Sequence, residues 1–69
     1  SRSLVTDSVL LDAVQVGRDC NIRKAILDKN VVVADGASIG VSRERDLERG
    51  FTVTESGLTV VPKGLLVTP

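Results

Sequence analysis

Histidine, tryptophan, tyrosine and methionine are absent from this 69-residue sequence, and cysteine and phenylalanine occur once each. The single Cys20 excludes an internal disulfide. Without histidine it also cannot assemble a zinc site of the usual ligand count. No apolar run approaches the ~18 residues of a membrane span, and the first residues lack the apolar segment of a signal peptide. A lone reduced-type cysteine points to a cytoplasmic setting. Nine basic and nine acidic residues cancel, which argues against nucleic acid as the main partner. A chain this short builds only a small core. Without staples it is expected to assemble with other chains or belong to a larger polypeptide.

Valine and leucine dominate what is present, and β-branched richness favours strands. The valines, leucines and isoleucines repeat. Residues 5–21, VTDSVLLDAVQVGRDCN, lie over residues 22–38, IRKAILDKNVVVADGAS, without a gap. Val5 meets Ile22, Val9 meets Ile26, Leu10 meets Leu27, Val14 meets Val31, Val16 meets Val33 and Cys20 meets Ala37. All six pairs are apolar or small, and Ile39 opens a third turn in register. Internal repeats of this kind mark stacked architectures. A small antiparallel β domain would account for the apolar richness but not for the matched positions.

Each repeat divides into a five-residue piece and two six-residue pieces. A six-residue piece opens with a large aliphatic and carries a small or β-branched residue four positions later. This resembles the hexapeptide repeat, whose short faces form triangular coils. The resemblance implies an all-β fold, a left-handed parallel β-helix, an exception to the right-handed crossover rule. It places Val5, Val9, Leu10, Val14, Val16, Cys20, Ile22, Ile26, Leu27, Val31, Val33, Ala37 and Ile39 inward. The charged Asp7, Asp12, Arg18, Asp19, Lys24, Asp28, Lys29 and Asp35 fall on turns and outer faces, and Gly17, Gly36 and Gly40 fit corners. Leu11 against Asp28 and Gln15 against Val32 break the match at outward positions. Exposed Leu11 and Val32 there suggest contacts with another domain or subunit.

The repeat stops at Gly40. Residues 41–50, VSRERDLERG, carry six charges and fit either a solvated loop or a short helix over Ser42–Arg49, N-capped by Ser42. Residues 51–61 read as two strands around Glu55-Ser56-Gly57, Pro62 limits further pairing, and Leu65-Leu66-Val67 forms a last strand. The division is thus residues 1–40 as coils and 41–69 as a charged connection and β cap that blocks the open end. Together they are one partial domain of a longer enzyme.

Catalytic signatures are missing. Most hexapeptide acyltransferases use a histidine base and the related carbonic anhydrases use histidine ligands to zinc, and this chain has no histidine. There is no phosphate-binding glycine loop or nucleophile elbow. Cys20, matched by Ala37, reads as a packing residue.

The run NIRKAILDKNVVVADGASIG (residues 21–40), then SRERDLERGF, then TESGLTVV resembles, in order, the C-terminal β-helix of bacterial ADP-glucose pyrophosphorylases. DSVLLDAVQVG (residues 7–17) is similar to the preceding coil. The resemblance implies a parent nucleotidyltransferase that makes ADP-glucose and pyrophosphate from ATP, with Mg2+, and glucose 1-phosphate. The catalytic N-terminal domain would be the first partner, and a homotetramer the assembly. The segment itself would need no cofactor. A structural scaffold, another sugar-nucleotide pyrophosphorylase, or a hexapeptide acyltransferase fragment remain the alternatives.

The resemblance also implies an effector site. In the family, sugar-phosphate activators or nucleotide inhibitors are held by basic residues from both domains. The corresponding positions here are Lys29 and Lys63, with Arg23 and Lys24 adding positive potential. Val67 stands where the family carries a further arginine. The plain alternative is that these lysines are solvated turn residues.

Overall fold

The 17-residue period becomes one turn of a coil because the chain bends three times in every period. In the computed structural model, which describes residues 2–69, the bends carry positive φ. They fall at Asp7, Ala13 and Asp19 in the first coil and at Lys24, Asn30 and Gly36 in the second. The spacing gives one face of five residues and two of six. Aspartate, asparagine and glycine tolerate this conformation best. Each second-coil corner amide bonds back one coil: Lys24 N–H to the Thr6 carbonyl (3.0 Å), Asn30 to Asp12 (3.0 Å) and Gly36 to Arg18 (2.8 Å).

Short strands lie between the bends: β1 Leu4–Thr6, β2 Val9–Leu10, β3 Gln15–Val16, β4 Asn21–Arg23, β5 Ala25–Leu27, β6 Val32–Val33 and β7 Ser38–Ile39. A helix, α1 (Arg43–Glu48), and β8 (Thr52–Val53) follow, then β9 (Thr59–Val61) and β10 (Leu66–Val67). The first face stacks β1-β4-β7, the second β2-β5-β9 and the third β3-β6-β10. All these pairs are parallel; only β8, added beside β9, is antiparallel. The architecture is a left-handed parallel β-helix.

The register puts like on like. Val5, Ile22 and Ile39 form one inward column; Leu10, Leu27 and Val61 a second; Val16, Val33 and Val67 a third. The buried core comprises these second- and third-coil members with Cys20, Ala25, Val31, Ala37 and Phe51. Cys20 is buried, and its thiol lies 3.2 Å from the Ala34 carbonyl.

The inward set expected from the repeat needs correction in two places. Val9 is 53% exposed and Ile26 only half-buried, because both lie on the outer surface of the second face. A five-residue face has one residue fewer between its inward positions. Its second inward residue therefore comes three after the first, at Ser8 and Ala25, and strand alternation turns the next residue out. Val5 and Leu10 stand in the inward columns yet remain 40% exposed, since within these residues a coil stacks on only one side of the first. Gly17 is not at a positive-φ corner; a side chain there would collide with Asp35 and the Val33 backbone.

The coils also do not end at Gly40. β9 pairs with β5 and β10 with β6 at a sequence distance of twice the repeat, so the third coil resumes in phase after an insert one period long. The insert leaves the corner after β7, where a Cβ on Gly40 would strike the Arg23 carbonyl. Ser42 caps α1 by accepting the Arg45 N–H (3.4 Å). Gly50 N–H to Leu47 (3.1 Å) and Phe51 N–H to Asp46 (3.0 Å) close it as a Schellman motif. The insert folds over the far end of the prism, where Ile39 and Val61 are fully buried.

Candidate functional site

Lys29 and Lys63 come together because the third coil resumes in phase. Both occupy the corner between the second and third faces, one coil apart, and the Gly64 N–H bonds the Lys29 carbonyl at 2.9 Å. Both side chains are exposed, and among the described residues neither ammonium has a hydrogen-bond or ion-pair partner. Stacked strands lie ~4.8 Å apart, so two free ammonium groups at this corner could straddle one phosphate. Asp12 holds the same corner one coil earlier. Asp28 turns its carboxylate onto the Lys29 amide (2.7 Å).

Arg23 and Lys24 lie across the second face, at its opposite corner. Lys24 donates its ammonium to the Ser56 carbonyl at the tip of the β8–β9 hairpin (2.5 Å), so it ties the insert to the coil. Arg23 is exposed at the end of β4. The four basic residues therefore form two groups, not one cluster. Val67 is 2% exposed in the core of β10 and offers nothing to a ligand.

A second polar group was not singled out from the sequence. Asp46 on α1 is 2% exposed. It accepts the Gly40 amide (3.0 Å) and the Thr59 hydroxyl (3.4 Å), and pairs with Arg49 (3.3 Å). Arg49 donates further to the Ser38 carbonyl (2.6 Å) and the Thr68 carbonyl (2.7 Å), and lies over the Phe51 ring. These contacts fasten the insert across the first and third faces, which is a structural role. In sequence, Asp46 is one of six charges within residues 41–50 and nothing distinguishes it. No group of three or more histidine, cysteine or carboxylate side chains that could hold a metal occurs among the described residues.

Residues 1–61 match a family model described as GlmU-like, C-terminal hexapeptide. Glucose-1-phosphate adenylyltransferase of Bifidobacterium adolescentis is 55% identical over 97% of this chain and 16% of its own length. The enzyme of the same name from Deinococcus radiodurans is 58% identical over 93% of the chain and 16% of its own. That from Leifsonia xyli is 55% identical over the whole chain and 17% of its own. The chain thus spans about a sixth of the length of these relatives. With its stacked inward columns, three-cornered coils and this match over most of its length, the chain belongs to the GlmU-like C-terminal hexapeptide family.

Proposed function

We propose that this segment is the regulatory and assembly module of a glucose-1-phosphate adenylyltransferase. Such an enzyme makes ADP-glucose and pyrophosphate from ATP and glucose 1-phosphate, for glycogen or starch synthesis in the cytoplasm. The observation that carries the reading is the identity of 55% or more to enzymes of that name across nearly the whole chain. Nucleotidyl transfer, with its ATP and Mg2+, belongs to a catalytic domain outside these residues. The module's part is to bind an effector, to contact the catalytic domain, and to join subunits into a homotetramer.

In this reading Lys29 and Lys63 hold the phosphate of a sugar-phosphate or nucleotide effector. Arg23 and Lys24 contribute potential from the far corner, Lys24 less directly because its ammonium already serves Ser56. The stacking of two unpaired lysines at one corner supports this. In the full enzyme, Lys29→Ala or Lys63→Ala should raise the activator concentration needed for half-maximal stimulation several-fold, roughly 1 kcal/mol per lost charge-assisted contact. Turnover without activator should change little. Unaltered activation curves in both variants would remove the corner from the site and leave a scaffold.

A further inference from the structure

The corner that holds Lys29 and Lys63 has a third member. Residues with positive φ turn it in all three coils: Ala13, Asn30 and Gly64. The Asn30 N–H bonds the Asp12 carbonyl (3.0 Å) and the Gly64 N–H bonds the Lys29 carbonyl (2.9 Å). The residues just before the turn, Asp12, Lys29 and Lys63, therefore stack one over another and leave the corner side by side. All three are exposed. The row reads carboxylate, ammonium, ammonium, with ~4.8 Å between neighbouring strands.

The Asp12 carboxylate is uncommitted. The only salt bridge among the described residues is Asp46–Arg49, so Asp12 and Lys29 do not pair although they are adjacent. A ligand engages both groups without first separating them. Asp28, the other acid near Lys29, is turned onto a backbone amide (2.7 Å). A carboxylate accepts hydroxyl hydrogens and repels a phosphate. A phosphate midway between the two lysines lies roughly 7 Å along the row from Asp12, a distance that a sugar ring spans. A second phosphate carried to that end would meet a negative charge. Lys24 does not answer it: it lies five residues from Lys29, roughly 16 Å at ~3.3 Å per residue, and donates to Ser56.

We infer that Asp12 is a specificity-determining residue of this corner, accepting the hydroxyl groups of an effector whose one phosphate lies between Lys29 and Lys63. The corner then takes a sugar monophosphate in preference to a bisphosphate or a bare anion. The inference rests on the effector role proposed above and adds the group that reads the ligand beyond its phosphate. Because the row is exposed, the discrimination is modest. It differs in kind from what the lysines supply, since they hold every phosphate alike.

The test titrates the full-length enzyme by calorimetry with fructose 6-phosphate, fructose 1,6-bisphosphate and inorganic phosphate. The variant Lys29→Ala/Lys63→Ala subtracts binding elsewhere on the enzyme. Asp12→Ala should weaken the monophosphate about three- to tenfold, the loss of one or two hydrogen bonds to a charged acceptor. The same variant should tighten the bisphosphate and inorganic phosphate about two- to threefold, because a repelling charge is gone. Opposite signs are the signature. If Asp12→Ala tightens all three ligands, Asp12 is only a charge beside the lysines and the inference is overturned. If it changes none while Lys29→Ala/Lys63→Ala weakens them, the inference fails and the effector corner stands. If the lysine variant binds all three as the wild type does, the corner and the inference fall together.

Discussion

The two ends of the prism carry aliphatic side chains in the same columns and treat them oppositely. At the first coil, Val5 and Leu10 are 40% exposed; at the third, their column partners Ile39 and Val61 are fully buried. The difference lies entirely in what lies beyond the coil. Within these residues the first coil has a stacked neighbour on one side only. The insert covers the third. Phe51 packs on its core, and Arg49 bridges the Ser38 and Thr68 carbonyls, while Asp46 receives the Gly40 amide. Pro62 completes the closure. In the first two coils its counterparts Leu11 and Asp28 donate their N–H to the next coil, at 3.0 and 3.2 Å. In the third coil proline stands at that position, removes the donor and discourages edge pairing. An inward residue in a stacked fold is thus defined by its column, but its energetic worth is set by its neighbours above and below.

The largest test of this comparison is a pair of truncations. In the 69-residue segment by itself, Leu27, covered on both sides, should lose about 3–5 kcal/mol on Leu27→Ala, against roughly 1 kcal/mol for Leu10→Ala. Leu27→Asp, which buries an unpaired charge, should unfold the module outright. Hydrogen exchange of the β5 and β9 amides measures the loss locally. Equal losses at Leu10 and Leu27 in the segment would mean that its copies associate over the first coil.

Opening the closed end should come next. Asp46→Ala removes the carboxylate partner of the Arg49 guanidinium and leaves the Gly40 amide without its acceptor, at about 3 kcal/mol. Exchange should accelerate at β7, β9 and β10 while β1 and β2 hold their rates; uniform acceleration would show that the clasp supports the whole prism. Ser42→Ala removes only the helix cap, about 1 kcal/mol, with effects confined to α1. Pro62→Ala should change stability by less than about 0.5 kcal/mol but add a donor to the edge. The expected result is unchanged exchange with a greater tendency to associate.

The period, the three-piece division and the register between residues 5–21 and 22–38 were legible because stacking forces identical surroundings on residues one coil apart. A helix over Ser42–Arg49 was one of two readings open for residues 41–50; the structure shows it, over Arg43–Glu48 with Ser42 as its cap. Lys29 and Lys63 were singled out only through resemblance, since an exposed lysine at a turn carries no signal of its own. Val9 and Ile26 were misplaced because the four-residue spacing of a six-residue face was carried onto the five-residue one. The third coil was missed because its continuation lies beyond an insert whose charged residues, Glu44 in the place of Leu27, cannot occupy an inward column.

By itself the sequence determined the coil, because periodic aliphatics can be buried only by stacking with themselves. Only the tertiary structure decided which residues near the short corner face out. Only the structure showed that the chain returns to complete a third coil, and that one carboxylate in a charged run clasps the insert to the end. Those outcomes depend on contacts between residues far apart in sequence. Periodicity describes what repeats; it says nothing of a segment that leaves the repeat and folds back onto it.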